Sequence, residues 1–425
     1  MKTRTKRILT GLALVLLVLG AVVFVTFTRE KQIRRPVESP YAIEDAQFQR
    51  SMSSLLGPAL VPGNRVDTLL NGDRIFPSML EAIRSARRTI NFETYIYWSG
   101  EIGKAFADAL TERARAGVKV RILIDWVGSQ KMDEALLKQM TDSGAEIHKY
   151  HPPRWYDINR LNNRTHRKIL VVDGQLGFTG GVGIADEWSG DAQDEKHWRD
   201  THYRVAGPAV AQMQAAFVDN WLKVSGLVLH GDAYFPAIRP GGEQHAQMFM
   251  SSLEGGAESM HLMYLLSIAA ARESIDLSMA YFVPDELATE ALVQALKRGV
   301  RVRIIVPGQS TDVALVRSAG RATWEPFLQG GAEIYEYQPT MYHSKVLVVD
   351  RAWVSVGSTN FDSRSFRLND EANLNVFDRD FALRQVADFE NDLKRSRRVT
   401  YEQWAARPWT EKVSDHFLAI FNSQL

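Results

Sequence analysis

Cysteine is absent from this chain of 425 residues, and its absence excludes disulfide bonds, thiolate catalysis and cysteine-based zinc sites. Net charge is almost absent too, because 51 Lys and Arg residues face 50 Asp and Glu residues and leave +1 at pH 7. No global field therefore draws the protein to nucleic acid, and any anion-binding surface must be local. The acidic residues and histidines form no convincing ligand cluster, so neither a metal nor a cofactor is predicted.

Apolar residues make up 45% of the chain and charged residues 24%, which is typical of a folded protein. A run of twenty uncharged, mostly apolar residues extends from Ile8 to Phe27. As a helix it would span the roughly 30 Å hydrocarbon core of a bilayer. A cleaved signal peptide is the alternative, but the run is long for one and no small-residue cleavage site follows. We predict a retained transmembrane anchor over residues 1–28 and a tether over 29–60; basic residues flank both sides, so orientation stays open.

The remaining chain contains an internal repeat. Residues 85–96 match 270–282, residues 116–124 match 298–306, and residues 144–147 match 331–334. Helical patterns alternate with short apolar strands in both copies, which predicts an α/β fold of two homologous α/β/α sandwich lobes with largely parallel sheets and pseudo-two-fold symmetry. We place the first lobe at 61–240 and the second at 241–425. Two generic α/β units would also look alike, but a shared motif argues against that alternative.

The same motif follows in each repeat, at residues 166–173 and 343–350. His, Lys and Asp stand at its positions 1, 3 and 8, and a glycine follows seven residues after the Asp. On a strand, the His and Lys side chains point to the same face. An isolated histidine on a strand is usually structural, but two copies in matching places indicate function. The candidate catalytic residues are His166, Lys168, Asp173, His343, Lys345 and Asp350.

Two histidines suit the cleavage of a phosphodiester through a covalent intermediate. One neutral imidazole can attack phosphorus while the other, protonated, donates to the leaving alkoxide, since the pKa of imidazole lies near 6.5. Two lysines would stabilise the charge that develops on the phosphate oxygens.

Further candidates lie after each motif. Small residues there would let backbone amides approach the phosphate, and a carboxylate in the matching segments 200–205 and 371–376 could accept the second imidazole N–H. Two surface acids are the alternative for that pair. The candidate phosphate-binding or supporting residues are Gly181, Gly183, Ser358, Asn360, Asp200 and Glu371.

These motifs resemble the phospholipase D superfamily, whose signature is H-x-K-x4-D followed by a small-residue segment ending in Asn, twice in one chain. Over about residues 60–425 the chain resembles the bacterial cardiolipin synthases in particular. The similarity rests on the segments FETYI at 92–96, GGVGIADEW at 180–188, WRDTH at 198–202, YFVP at 281–284 and NFDSRSF at 360–366.

The resemblance implies a phosphohistidine intermediate on His166, with His343 as acid and then base. It also implies that Asp173 and Asp350 support the motif more than they touch the substrate. Gly183 departs from the family pattern, which has Asn there, whereas Asn360 keeps it. One lost phosphate hydrogen bond would cost about 1–3 kcal/mol if nothing replaces it.

The predicted anchor favours a phospholipid as the diester. Aromatic and arginine residues before the first motif would suit a lipid headgroup, a nucleic-acid backbone or a solvated loop. The apolar segment 417–421 is more typical of packing than of membrane contact. The aromatic and arginine residues before the first motif are Arg154, Trp155, Tyr156, Arg160 and Arg164.

The sequence therefore predicts a single-pass protein of the bacterial inner membrane that transfers a phosphatidyl group between phospholipids, with phosphatidylglycerol as substrate. A phospholipase D that uses water, a nuclease of the same superfamily and a silent scaffold are the alternatives. The low net charge disfavours a nuclease and a nucleic-acid partner, and the intact motifs disfavour a scaffold. The oligomeric state is left open.

Overall fold

The structure is a computed structural model that describes residues 35–152, 163–252, 258–409 and 411–412, with Ile33 and six positions between 11 and 20. Most of the predicted anchor, residues 153–162 of the aromatic and arginine cluster, and the segment 417–421 lie outside the described residues. Within the described part of the chain, no helix has both the length and the apolar character that crossing a membrane requires.

The first half of the chain alternates helices and strands as the repeat predicts. The described elements are α1 (Ala46–Leu55), β1 (Val61–Leu70), α2 (Asn71–Ser85), β2 (Thr89–Thr94), α3 (Glu101–Arg115), β3 (Lys119–Asp125), α4 (Glu134–Asp142), β4 (Glu146–Tyr150), β5 (Ile169–Val172), β6 (Leu176–Gly180), a short 3-10 helix (Asp186–Trp188), β7 (Thr201–Ala206) and α5 (Ala209–Ser225).

The second half repeats this order. Its described elements are β8 (Gln244–Ser251), α6 (Ser259–Ala270), β9 (Ser274–Met279), β10 (Phe282–Val283), α7 (Glu286–Lys297), β11 (Arg301–Pro307), α8 (Ala314–Ala322), α9 (Glu325–Gln329), β12 (Glu333–Tyr337), β13 (Lys345–Val349), β14 (Trp353–Gly357), β15 (Phe361–Asp362), α10 (Ser363–Arg367), β16 (Glu371–Phe377), α11 (Arg379–Leu393), β17 (Ser396–Val399) and α12 (Tyr401–Ala405).

Both halves share one sheet, which has 15 strands within the described residues. Its order is β4-β3-β2-β5-β6-β7-β1 in the first half, then β8-β16-β14-β13-β9-β11-β12 in the second, with β17 outermost. Each strand of one half has its counterpart at the same distance from the central pair β1 and β8. This arrangement confirms the predicted α/β class and the repeat, and it places a pseudo-two-fold axis between β1 and β8. The lobe boundary at residues 240 and 241 stays a prediction; it falls between α5 and β8.

The sheet is mixed, which corrects the expectation of largely parallel sheets. Within this sheet, only β2, β3 and β4, and likewise β9, β11 and β12, pair in parallel among the described strands. Strands β10 and β15 form a separate parallel pair. Strand β5 follows the first motif and pairs antiparallel with both β2 and β6. Three residues connect β5 to β6, and β13 and β14 are joined in the same way. Such tight turns connect antiparallel strands, whereas a parallel pair needs a long crossover.

Helices pack on both faces of the sheet. One core cluster joins α2, α3 and α4 to β2 and β3, through residues such as Ile83, Phe92 and Leu110. A further cluster lies between the halves, where Met213 of α5 and Phe381 of α11 pack with strands of both motifs. The halves are therefore fused through a common core.

The segment predicted as a tether contains helix α1, and part of it is packed. Phe48 and Met52 of α1 are buried in the core of the second half, together with Ile43 and Leu56. Asp45 accepts a hydrogen bond from the backbone N–H of Gln47 and caps the helix. Apolar residues four apart give this short helix a buried face, a signal that the prolines at 36 and 40 obscured.

Candidate active site

The two motif histidines stand just before strands β5 and β13, where the halves meet. The backbone N–H of His166 donates to the carbonyl of Asp370 at 2.9 Å, and that of His343 donates to the carbonyl of Arg199 at 2.7 Å. Thr165 likewise bridges to Asp370, and Tyr342 to Arg199. Each histidine is thus fixed by the backbone of the opposite half.

The carboxylates follow the same crossed pattern. Nδ1 of His166 lies 3.0 Å from both carboxylate oxygens of Glu371, and Nδ1 of His343 lies 2.7 Å from Oδ2 of Asp200. If each Nδ1 carries the proton that the carboxylate accepts, each Nε2 keeps a lone pair that can attack phosphorus or take up a proton. The structure brings both predicted carboxylates to the site, each beside the histidine of the other half.

Different side chains support the two carboxylates. The Ser358 hydroxyl donates to Oε2 of Glu371 at 2.5 Å. On the other side, Nε1 of Trp188 donates to Oδ2 of Asp200 at 2.9 Å. A Cβ at Gly181 would lie 2.2 Å from Oδ1 of Asp200, so glycine makes room for the carboxylate there. Trp188 was not predicted as a site residue; its indole N–H, which needs a partner when buried, was the available signal.

The two lysines are buried beside their own histidines. Nζ of Lys168 donates to the carbonyl of His166 at 2.7 Å. Nζ of Lys345 donates to the carbonyl of His343 at 2.5 Å and lies 3.0 and 3.1 Å from the two ring nitrogens. Each half therefore holds one amino group at the backbone of its histidine, and in the second half this group also reaches the imidazole.

Both imidazoles face one cavity of about 300 Å³ between the halves. This volume is at the lower end of the about 300–1,000 Å³ that is typical of ligand sites. A phosphate headgroup fits it, while long acyl chains do not. Residues that line the cavity include His166, Lys168, Gly183, His343 and Asn360, together with Tyr95, Arg164, Tyr281, Asp312, Asp362, Arg364 and Asn369.

Burial is the main cause of the pKa shifts of the two motif histidines and the two motif lysines. It lowers the pKa of His166 to about 4, although Glu371 opposes the shift. Burial, followed by the charge of Lys345, also lowers the pKa of His343. The same cause lowers the pKa of Lys168 to about 7 and that of Lys345 to about 8. At neutral pH His166 is therefore a neutral nucleophile, and a bound phosphate would favour the charged form of both lysines.

The carboxylates stay ionised beside these groups. Burial alone would raise the pKa of both carboxyls, but the hydrogen bonds and charges of neighbouring groups outweigh it. His343 and Lys345 hold the pKa of Asp200 below its usual range, and His166 and Lys168 do the same for Glu371. An ionised carboxylate at each Nδ1 stabilises the imidazolium that forms when the ring takes up a proton.

The family model described as "Cardiolipin synthase, PLD-like domain" matches the chain twice, at residues 79–221 and 264–393, which together exceed half of its length. The chain belongs to this family. Membership makes it an enzyme of the phospholipase D type, a phosphatidyltransferase.

Individual relatives agree with the family model. Cardiolipin synthase of Geobacillus kaustophilus (strain HTA426) is 36% identical over 89% of this chain and 77% of its own length. Cardiolipin synthase 2 of Bacillus anthracis is 35% identical over 80% of this chain and 66% of its own length. The chain thus spans about two thirds to three quarters of these relatives. Phosphatidylserine synthase of Haemophilus influenzae Rd KW20 shares the fold, with a TM-score of 0.69 at 15% identity over 89% of this chain and 99% of that one.

The motif aspartates of this family member lie outside the cavity. Asp173 accepts three hydrogen bonds of 2.7–2.9 Å from the backbone N–H groups of residues 87–89. Asp350 accepts three of 2.8–2.9 Å from residues 272–274. These turns precede β2 and β9, at the far ends of β5 and β13 from the histidines. The structure therefore does not bring Asp173 and Asp350, grouped above with the catalytic candidates, to the reacting groups; they anchor the strands.

Gly183, where the resemblance implies Asn, stands at a crowded position. A Cβ at this position would lie 2.8 Å from Cβ of Ile96 and 3.2 Å from Cζ3 of Trp188. In the other half, Asn360 is 3% exposed and lines the cavity, and its Oδ1 has no hydrogen-bond partner among the described residues. The phosphate can thus receive an amide contact from one half.

No group of three or more potential ligands among His, Asp and Glu is placed to hold a metal ion in the described ranges. Of the arginines predicted near the first motif, Arg164 is described; it is 4% exposed and lines the cavity.

Proposed function

We propose that this phosphatidyltransferase makes cardiolipin from two molecules of phosphatidylglycerol. The observation that carries the proposal is the shared cavity, which both imidazoles face, each with Nδ1 at a carboxylate of the opposite half. The two relatives described above are named cardiolipin synthases. A phospholipid headgroup also fits the volume of the cavity.

The reaction has two steps at one phosphorus. In the first, His343 must be an imidazolium with a proton on Nε2, a form that burial disfavours and that Asp200 and a bound phosphate favour. Nε2 of His166 attacks phosphorus, the bond to the headgroup glycerol breaks, and His343 gives its Nε2 proton to the leaving oxygen. This leaves a phosphatidyl group bound to His166. In the second, neutral His343 takes the proton from a hydroxyl of another phosphatidylglycerol, whose oxygen attacks phosphorus and releases His166.

The remaining site residues stabilise charge or hold the imidazoles. Lys168 and Lys345 neutralise the phosphate oxygens as negative charge develops there. Asn360 donates an amide hydrogen bond to one of these oxygens. Glu371 and Asp200 keep His166 and His343 in the reactive tautomer. In turn, Ser358 and the space at Gly181 hold these two carboxylates.

We further propose that residues 8–27 anchor the enzyme in the bacterial cell membrane, the inner membrane where there are two, as a single span. Support comes from the length and apolar character of the run. The cavity admits a headgroup and leaves the acyl chains outside. If the site lies close to the bilayer, the acyl chains can stay in the membrane while the headgroup reacts.

The test is to incubate the purified protein with phosphatidylglycerol in detergent micelles and to identify the lipids by mass spectrometry. We expect cardiolipin and free glycerol in equal amounts. Phosphatidic acid as main product would identify water as the acceptor and a phospholipase D instead. No reaction, or activity on nucleic acid alone, would contradict the proposal. The His166→Ala protein, prepared in parallel, controls for contaminating enzymes.

A further inference from the structure

A buried ion pair links the halves behind the His343 side of the site. Arg199, which directly precedes Asp200, contacts Asp392 near the end of α11 through two parallel contacts. Nε lies 2.9 Å from Oδ1 and Nη2 lies 2.9 Å from Oδ2. Both residues are buried. A bidentate pair of this kind fixes orientation as well as distance.

Asp392 also holds the residue that precedes the histidine. The hydroxyl of Tyr342 donates to Oδ2 of Asp392 at 2.9 Å, and Tyr342 is the neighbour of His343 in the chain. One carboxylate thus joins the residue before Asp200 to the residue before His343.

Arg199 ties the same elements together through its backbone and its guanidinium. Its carbonyl accepts from the N–H of His343 at 2.7 Å. Its Nη1 donates to the carbonyl of Asp200 at 2.7 Å and to the hydroxyl of Thr201 at 2.9 Å. A shift of Arg199 would therefore move both members of the Asp200–His343 pair.

At the corresponding place beside His166, the residue of the packed helix is an amide and not a carboxylate. Asp370 directly precedes Glu371 and accepts from the hydroxyl of Tyr150 at 2.6 Å. Asn220, near the end of α5, lies 3.4 Å from the same hydroxyl and donates to Glu93 at 2.8 Å. The helix α11 thus has a charged Asp392 where its counterpart α5 has an amide.

We propose that Asp392 is a positioning residue for the Asp200–His343 pair, acting through Arg199 and Tyr342. It lies outside the cavity and touches neither His343 nor the reacting atoms. The inference rests on the proposed function in one respect, the role of His343 as acid and base. Loss of the Asp392 charge leaves the Arg199 guanidinium buried without a full partner, so the peptide of Asp200 relaxes and the proton donor is misplaced.

The test compares two leaving groups in an Asp392→Asn protein. Glycerol needs a proton to leave, whereas p-nitrophenolate does not. With phosphatidylglycerol, kcat should fall about 10- to 100-fold at similar KM, as expected when a catalytic group is displaced by a fraction of an ångström to an ångström. With the p-nitrophenyl ester of phosphatidic acid, the burst of p-nitrophenolate that reports attack by His166 should stay within about threefold of wild type.

The matched control is Asp276→Asn. Asp276 forms a bidentate buried pair with Arg303 at 2.7 and 2.9 Å in the same half, and it bonds neither His343 nor Asp200. We expect this change to affect both substrates alike. A general loss of packing in the Asp392→Asn protein would do the same.

Equal slowing of both substrates by Asp392→Asn, or no slowing of either, overturns the proposal. Should Asp392→Asn not fold, Tyr342→Phe removes one hydrogen bond to Asp392 and should show the same selectivity with a smaller amplitude. The product of the wild-type enzyme tests the proposed function separately: hydrolysis in place of transfer would refute cardiolipin synthesis while leaving the leaving-group comparison valid.

Discussion

The two halves of the molecule place the same strands in the same order, yet they surround their histidines with different side chains. Ser358 supports Glu371 in one half, whereas Gly181 and the indole of Trp188 accommodate Asp200 in the other. The repeated scaffold therefore determines where the two imidazoles stand. Each half then adjusts its own histidine through the groups around it.

The rings themselves differ as a result. His166 has 12% of its side chain exposed and meets Tyr95 edge-on at 5.3 Å between ring centres. His343 lies beside two indoles that contact each other, with ring centres 5.2 Å from Trp188 and 5.7 Å from Trp198. Since 8% of the His343 side chain is exposed, the two rings differ in their aromatic neighbours more than in their exposure.

Replacing the two histidines one at a time should give the largest difference between the halves. His166→Ala should abolish the phosphoenzyme, since no nucleophile remains. His343→Ala should still form it with a good leaving group but turn over phosphatidylglycerol about 10²- to 10⁴-fold more slowly, because the proton donor is lost. Mass spectrometry of protein quenched in denaturing detergent at neutral pH, where the bond between phosphorus and histidine survives, detects the modified histidine. A phosphoenzyme in the His166→Ala protein would show that the halves have exchanged roles.

The lysine of each half should lose its proton in a different pH range. The pKa of Lys168 is about 7 and that of Lys345 about 8, so both are charged below pH 7 and neutral above pH 8. We expect kcat/KM to fall as pH rises through this range, by up to about tenfold per unit for each group. This fall adds to the one expected at lower pH as His343, whose pKa is lowered, loses the proton that it donates. On the acid side, activity should persist down to about pH 4, where His166 gains its proton.

Arginine variants assign the two steps of this alkaline fall. Lys168→Arg should remove the fall near pH 7 and Lys345→Arg the fall near pH 8, because arginine stays charged throughout. A profile that neither substitution changes would show that other groups control it.

The smallest expected effect concerns Gly183. Gly183→Asn restores the family residue but should destabilise the fold by about 1–3 kcal/mol, because its Cβ meets Ile96 at 2.8 Å. Thermal unfolding measures the change. A Gly183→Asn protein that is as stable as wild type, or that has a higher kcat, would show that the first half has room for an Asn side chain at the phosphate.

The sequence predicted much of this site because the motif repeats. The spacing of His166 and Lys168, copied at His343 and Lys345, indicated one shared face, and the matching segments indicated a carboxylate for each ring. It could not indicate that the carboxylates cross over. An alignment of two halves relates equivalent positions and carries no information on which copy meets which in space.

Other features depend on contacts that a linear pattern does not record. The antiparallel strands after each motif follow from turns of three residues, and alternating helices and strands alone suggested parallel pairing. Trp188 was visible only as part of a segment shared with the family. Its role comes from a hydrogen bond to a residue twelve positions away.

The crossed carboxylates make each half incomplete by itself. A lone copy of the repeat would carry an imidazole without its acceptor and an acceptor without its imidazole, so an ancestral single-copy protein would have needed to pair with itself before it could react. A substitution near Asp200 accordingly affects His343, which belongs to the other copy. Changes in one repeat therefore constrain the changes that the other repeat can accept.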